Sequence, residues 1–267
     1  MIAVIRTEFT KLRRAQILLV GLLAMLLCPV MQYGSNLIVD DAYKVVYTFP
    51  HLFESTIWGN VQIFLPISLV MIGGWMLHRE QQDETLKNVL TVPLTYRKLV
   101  LGKLCTVFLL AMLFGLLSCG FTLAFGFAVR LPGLTVPIAL RGCLQLVACA
   151  GGVSLVVMPL ILLFGHSAGG YLGGSILAFL LGYSILFFKG GFLFSFYPFL
   201  AVLHLIGFDL QDYNGGAQPA NLGLCALSLA VMVVFTLLLV AFSAAPENGA
   251  NPKKAKAKRG ARRGARK

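Results

Sequence analysis

The polar and apolar positions of this 267-residue chain fall into long blocks and do not alternate along them. Apolar runs cover about 15–36, 57–77, 99–129, 136–164, 169–188 and 219–243. A helix crosses the hydrocarbon core of a bilayer in about 20 residues. Inside lipid only helices and closed barrels satisfy their own backbone groups, and barrel strands would alternate. The pattern therefore predicts six transmembrane helices. The third and fourth runs exceed the crossing length and are expected to tilt or to project from the bilayer. A shorter apolar stretch, Phe192–Phe208, has a Gly190-Gly191 entry, many aromatic residues and an internal Pro198. A seventh crossing there would reverse the side of the C-terminus, so it reads as a re-entrant or interfacial element.

Two polar segments have helical periodicity of their own. Ile2, Ile5, Phe9 and Leu12 are spaced by three and four residues, with Arg6, Lys11, Arg13 and Arg14 between them. This predicts a basic amphipathic helix over 1–14 that lies on the membrane surface. Within 78–98, Asp83 and Lys87 form an i, i+4 pair in the favourable order, and Leu86, Val89 and Leu90 form a small apolar face. Pro93 ends the pattern. The periodicity leaves open whether that face meets lipid or protein.

Composition agrees with the blocks. The chain is 58% hydrophobic and 12% charged, whereas soluble domains carry about 25% charge. The net charge of +12 is unevenly placed: residues 244–267 hold nine basic residues against one acid, and the other 243 hold thirteen against nine. The basicity is thus mostly a tail. With nothing larger than Ala among its apolar residues after Pro252, that tail is expected to be disordered at an anionic lipid surface. No nucleic-acid partner is expected.

Lys and Arg also orient the spans. Four precede the first run, five lie between the second and third if Lys103 is counted, and nine follow the sixth. The opposite loops hold few, and 37–56 carries Asp40, Asp41 and Glu54 against Lys44. The positive-inside trend places both termini and the 78–98 loop in the cytosol of a plasma-membrane protein. The run after Arg14 lacks an A-x-A-like cleavage site and is expected to stay as the first span.

Candidate chemistry is sparse. Cys28, Cys105, Cys119, Cys143, Cys149 and Cys225 lie in or beside apolar runs without a C-x-x-C pair, so they read as small buried residues and neither a disulfide framework nor a zinc site is expected. His51, His78, His166 and His204 are scattered, and no metal is expected. No G-x-x-x-x-G-K-[ST] occurs, so the chain is not expected to bind ATP through a P-loop. Gln32, Asn36, Gln62 and Gln145 are amides within spans. Each suits a bond between helices, and together they are candidates for a substrate pathway. No acid sits deep in a span, which argues for an external energy source over ion coupling. Gly165, Gly169, Gly170, Gly173 and Gly174 repeat at four-residue spacing and are candidates for close helix packing, within the chain or between subunits.

One resemblance organises these features. The basic start Ile5-Arg6-Thr7-Glu8-Phe9-Thr10-Lys11-Leu12-Arg13-Arg14 is followed by two spans. Next come Glu80-x-x-x-Glu84-Thr85-Leu86-Lys87-Asn88-Val89-Leu90 and Pro93-Leu94-Thr95-Tyr96-Arg97-Lys98, then Gly102-Lys103 at the opening of span three. This is similar to the permease subunit of type-2 ABC exporters, in the bacitracin-resistance and lantibiotic-immunity branch. Glu84-Thr85-Leu86-Lys87 replaces the commoner Glu-Gly-Thr. The resemblance implies a type-2 ABC exporter fold: an all-α integral membrane protein of six transmembrane helices, with a cytoplasmic coupling helix and a re-entrant extracellular element before the last helix. The domains would be a connecting helix (1–14), a transmembrane domain (15–243) and the tail (244–267), with the re-entrant element at about 190–212. The coupling helix, about 80–91, would meet a separate ATPase dimer through Arg79, Glu80, Asp83, Glu84, Leu86, Lys87 and Leu90. The connecting helix would act through Ile5, Phe9, Lys11 and Leu12. ATP and Mg would sit on that partner, with no cofactor and no catalysis on this chain. A second permease copy or a related permease would complete the pore. The cargo would be an antimicrobial peptide or peptide antibiotic. Export of another lipid-like or small hydrophobic substrate, a secondary carrier, and a membrane scaffold or lipid enzyme without an ATPase are the alternatives.

Overall fold

The computed structural model describes residues 2–13, 15–38, 47–82, 96–167, 169–210, 213 and 220–243. Among these, all regular structure is helical. The amphipathic α1 is Ile2–Arg13 and α2 is Ile17–Ile38, the first span. The second span is one continuous rod, Phe49–Arg79, made of α3 (Phe49–Gly59), a π-helical turn (Asn60–Phe64) and α4 (Leu65–Gln82). Then follow α5 (Tyr96–Ala128), α6 (Val136–Phe164), and α7 (Gly170–Tyr183) with its 3₁₀ extension Ser184–Phe187. The short helices α8 (Phe192–Phe196) and α9 (Pro198–Leu205) precede the last span, α10 (Leu222–Phe242). Six of these helical stretches are long and apolar enough to cross a membrane. The all-helical, six-span fold read from the apolar blocks is the fold observed.

The second and fourth spans are largely buried and form the centre of the bundle. The first, fifth and sixth keep most of their apolar surface turned outward, as lipid-facing helices do. Pro29 lies inside α2 yet is buried, where its lost backbone bond is shielded by neighbouring helices.

The second span begins eight residues before its expected start at 57. The apolar runs had left 37–56, with Asp40, Asp41 and Glu54, between the first two spans. The reason lies in packing that hydropathy does not register. Thr48 is extended and Pro50 starts the helix. Phe49 and Phe53, one turn apart, then fill notches left by Gly126 of α5 and Gly142 of α6. At this junction Tyr33, Tyr47 and Phe125 pack edge to face. The Tyr47 hydroxyl donates to the Gln32 carbonyl over 3.2 Å, and burial pushes its phenol above the ordinary value.

The stretch after α7 does not cross. Gly191 takes a positive φ of 81°, α8 is five residues and α9 eight, well short of a span. Hydrogen bonds running both ways tie it to the main bundle, as a broken apolar element requires. Gln145 Nε2 donates to the carbonyls of Ile206 and Gly207 at 3.1 and 3.2 Å. The Tyr197 hydroxyl donates to the Leu181 carbonyl at 2.6 Å. Ser228 donates to the Phe196 carbonyl at 2.6 Å.

The cysteines correct the sequence reading twice. Cys119 of α5 and Cys143 of α6 are joined in a disulfide with Cα atoms 5.2 Å apart. The residues lie twelve positions on either side of Leu131, in the turn of the α5–α6 hairpin. An antiparallel hairpin sets such positions opposite one another, a signal that a search for C-x-x-C misses. Cys105 is exposed, whereas Cys28, Cys149 and Cys225 are buried as expected.

Candidate functional site

The charges of greatest consequence lie where α1 meets the ends of spans two and three. On α1, Ile5, Glu8 and Leu12 are spaced by three and four residues and so share a face. That face is turned inward: Leu12 and Glu8 are almost wholly buried, while Ile5 and Phe9 are half-buried. The carboxylate of Glu8 is therefore set into the apolar stripe of an otherwise basic helix. Its partner comes from α5. Lys103 is 2% exposed, and its Nζ lies 3.3 Å from Glu8 Oε2. The same ammonium donates to the Met76 carbonyl of α4 at 2.6 Å. Lys11, more exposed, closes on Glu8 Oε1 at 3.0 Å.

This geometry satisfies two charges that could not otherwise be buried. An ion pair removed from water must be matched by close contact and further hydrogen bonds, and losing one partner costs about 3–5 kcal/mol. Here one lysine ties three elements together: α1 through Glu8, α4 through Met76, and its own α5. The sequence reading counted Lys103 only as a topological charge and passed over Glu8. The available signal was an acid at the i+3 position of an apolar helical face.

Neighbouring contacts hold the same end of the bundle. Arg79 stacks over the Trp75 ring with its guanidinium carbon 5.2 Å from the centroid. His166 contacts the Leu162 carbonyl through Nδ1 at 2.7 Å and Tyr96 Oη through Nε2 at 3.1 Å. These two contacts tie the start of α5 to the end of α6. Gln82 and Tyr96 thus border 83–95 from anchored helices. Of the residues expected on a coupling helix, Arg79 and Glu80 belong to the last turns of α4; Asp83, Glu84, Leu86, Lys87 and Leu90 lie outside the described residues.

The amides expected along a pathway are engaged in different places. Gln145 holds the α9 exit, as above. Gln62 is buried in the π-turn, where its Nε2 has no hydrogen-bond partner among the described residues, beside Asn60, whose Nδ2 donates to Ser118 Oγ of α5 at 2.8 Å. Gln32 lies against Gly59 of span two, and Asn36 is half-buried near the C-terminal end of α2.

The five glycines also divide. A Cβ at Gly165 would meet Leu77, and one at Gly174 would meet Phe164 and Val70. Gly170 is crowded by Ser167, Gly169 takes a positive φ of 75° ahead of α7, and Gly173 faces open space. The closest approach of α7 to another span is at a glycine the sequence reading did not name: a Cβ at Gly182 would run into the Gln62 carbonyl.

A six-span helical bundle with an amphipathic helix locked to its second and third spans is the architecture of a multi-pass membrane protein. A family model described as ABC-2 family transporter protein matches residues 4–185. The chain belongs to the ABC-2 transporter family. It is also similar to the bacitracin transport permease protein BCRB of Bacillus licheniformis: 28% identical over 116 residues, which is 42% of this chain and 54% of that protein. The chain thus spans about half the length of this curated relative.

Proposed function

We propose that this chain is the non-catalytic, membrane-spanning permease subunit of an ATP-driven exporter in the plasma membrane, with both termini in the cytosol. ATP and Mg bind to a separate ATPase dimer. That dimer receives the coupling helix at about 80–91, with Arg79, Glu80, Asp83, Glu84, Leu86, Lys87 and Leu90 as its contacts. The observation that carries this reading is the Lys103 junction, which links α1 to both spans flanking 83–95. A push on either α1 or the 80–91 segment would move spans two and three as one unit. A second copy or a related permease supplies the other half of the pore.

The cargo proposed is an antimicrobial peptide or peptide antibiotic, removed as self-immunity or resistance. The similarity to a bacitracin transport permease supports it, as do Asp40 and Asp41, which lie between the first two spans and so on the outer side in this orientation.

Replacing Glu84 and Leu86 together in the full chain tests the coupling. The expected result is loss of ATPase co-purification and of the substrate-stimulated ATPase rate, with the permease still folded. Wild-type values for both would sink the assignment. Cargo is tested by expressing the permease with its ATPase in a sensitive host. Raised tolerance to bacitracin or a lantibiotic supports the reading, and unchanged tolerance with intact ATPase coupling favours another lipid-like substrate.

A further inference from the structure

A groove of about 460 Å³ opens on the side of the bundle between α5, α6 and α10. Leu101, Cys105 and Leu109 form one wall, Met158 a second, and Val233 and Leu237 the third. The one hydroxyl in the lining, Thr236, donates to the Met232 carbonyl of its own helix at 2.8 Å, so the surface offered is apolar. The groove starts five residues inside α5 and runs about 12 Å along it, at 1.5 Å per residue. Met158, Val233 and Leu237 lie at matching distances from the ends of α6 and α10. It therefore occupies the half of the bundle nearest α1.

Its mouth is charged. Arg97 precedes Leu101, Leu104 and Phe108 by four, seven and eleven residues; Lys98 precedes Leu101, Cys105 and Leu109 by three, seven and eleven. These are same-face spacings on a helix, so both cations stand on the stripe of α5 that forms the groove, one turn beyond its end. Both are exposed. Among the described residues neither has an ion-pair partner. Lys103, by contrast, lies on the far side of α5 in the pair with Glu8.

We propose that this groove is a binding site for one anionic phospholipid. An acyl chain lies between α5, α6 and α10, and the phosphate meets Arg97 and Lys98. The charge pattern selects the occupant: two exposed cations at the head and an apolar trough behind them suit a headgroup with net negative charge. A soluble phosphate would leave the trough empty, and a zwitterionic headgroup would bring its own cation against Arg97 and Lys98. The site needs only the bundle to be in a bilayer. The further statement that the lipid comes from the cytoplasmic leaflet rests on the orientation under Proposed function.

Native mass spectrometry of the full chain in neutral detergent tests the site, titrated with phosphatidylglycerol and phosphatidylcholine of identical acyl chains. One phosphatidylglycerol per chain should bind at least about tenfold more tightly than phosphatidylcholine at low salt, since each basic residue near an anionic headgroup contributes on the order of a factor of five. R97Q/K98Q should erase the preference, R97K/K98R should keep it, and C105F should weaken both lipids. Equal retention of the two lipids by the native chain would overturn the proposal, as would a preference that survives R97Q/K98Q. So would displacement of the lipid by glycerol phosphate at the concentration at which the intact lipid competes. If C105F leaves lipid binding unchanged and splits a dimer, a second copy fills the groove and the lipid site is wrong. None of these readouts involves an ATPase or a cargo.

Discussion

Lys103 Nζ of the third span lies 3.3 Å from Glu8 Oε2 of the N-terminal helix, and both side chains are about 95% shielded from solvent. Ninety-five positions of sequence separate them. This contact turns α1 from a helix that could lie loosely on lipid into part of the bundle, because its one buried charge has its counter-charge on another element.

Removing one partner strands the other. Lys103→Met leaves Glu8 buried with only the half-exposed Lys11, and is expected to destabilise by about 3–5 kcal/mol. The double variant E8L/K103M should recover most of that loss, since two matched apolar groups replace two matched charges. Thermal unfolding of all four proteins in one detergent gives the cycle. Losses that simply add would show that the two residues act independently.

The glycines make opposite predictions from one helix. Gly182→Val would push a side chain into the Gln62 backbone, which cannot yield as a flexible side-chain tip can. An overpacking cost of about 1–3 kcal/mol or more is expected. A Cβ at Gly173 meets no atom within 4 Å, so Gly173→Ala should change stability by less than about 0.5 kcal/mol. Loss of stability in both would mean that Gly173 packs against something outside this chain, such as a second subunit.

The Cys119–Cys143 bridge predicts a thiol count. Denatured without reductant, the chain should take up four alkylating groups, and six after reduction. Mass measurement of the intact chain reads the difference. Six groups in the unreduced sample would show that the two thiols are neighbours without being bonded.

Much of the architecture was legible before any coordinates. A run of twenty apolar residues has few ways to exist: it must bury itself in lipid and satisfy its backbone internally, so helix, length and number follow from local composition. The re-entrant stretch was legible for a related reason, since Gly190-Gly191 and Pro198 cut an apolar run too short to cross. The ABC-2 family was legible from the basic start and the Glu80–Lys103 pattern together.

The Glu8 pairing, the bridge between Cys119 and Cys143, the early start of span two at Phe49 and the contact of Gly182 with Gln62 were decided only by the folded bundle. Each depends on which face of one helix meets which face of another. Hydropathy averages over that rotation, and helical spacing gives it only within one element. A buried lysine and a lysine that orients a loop look alike until the acid that neutralises one of them is brought against it.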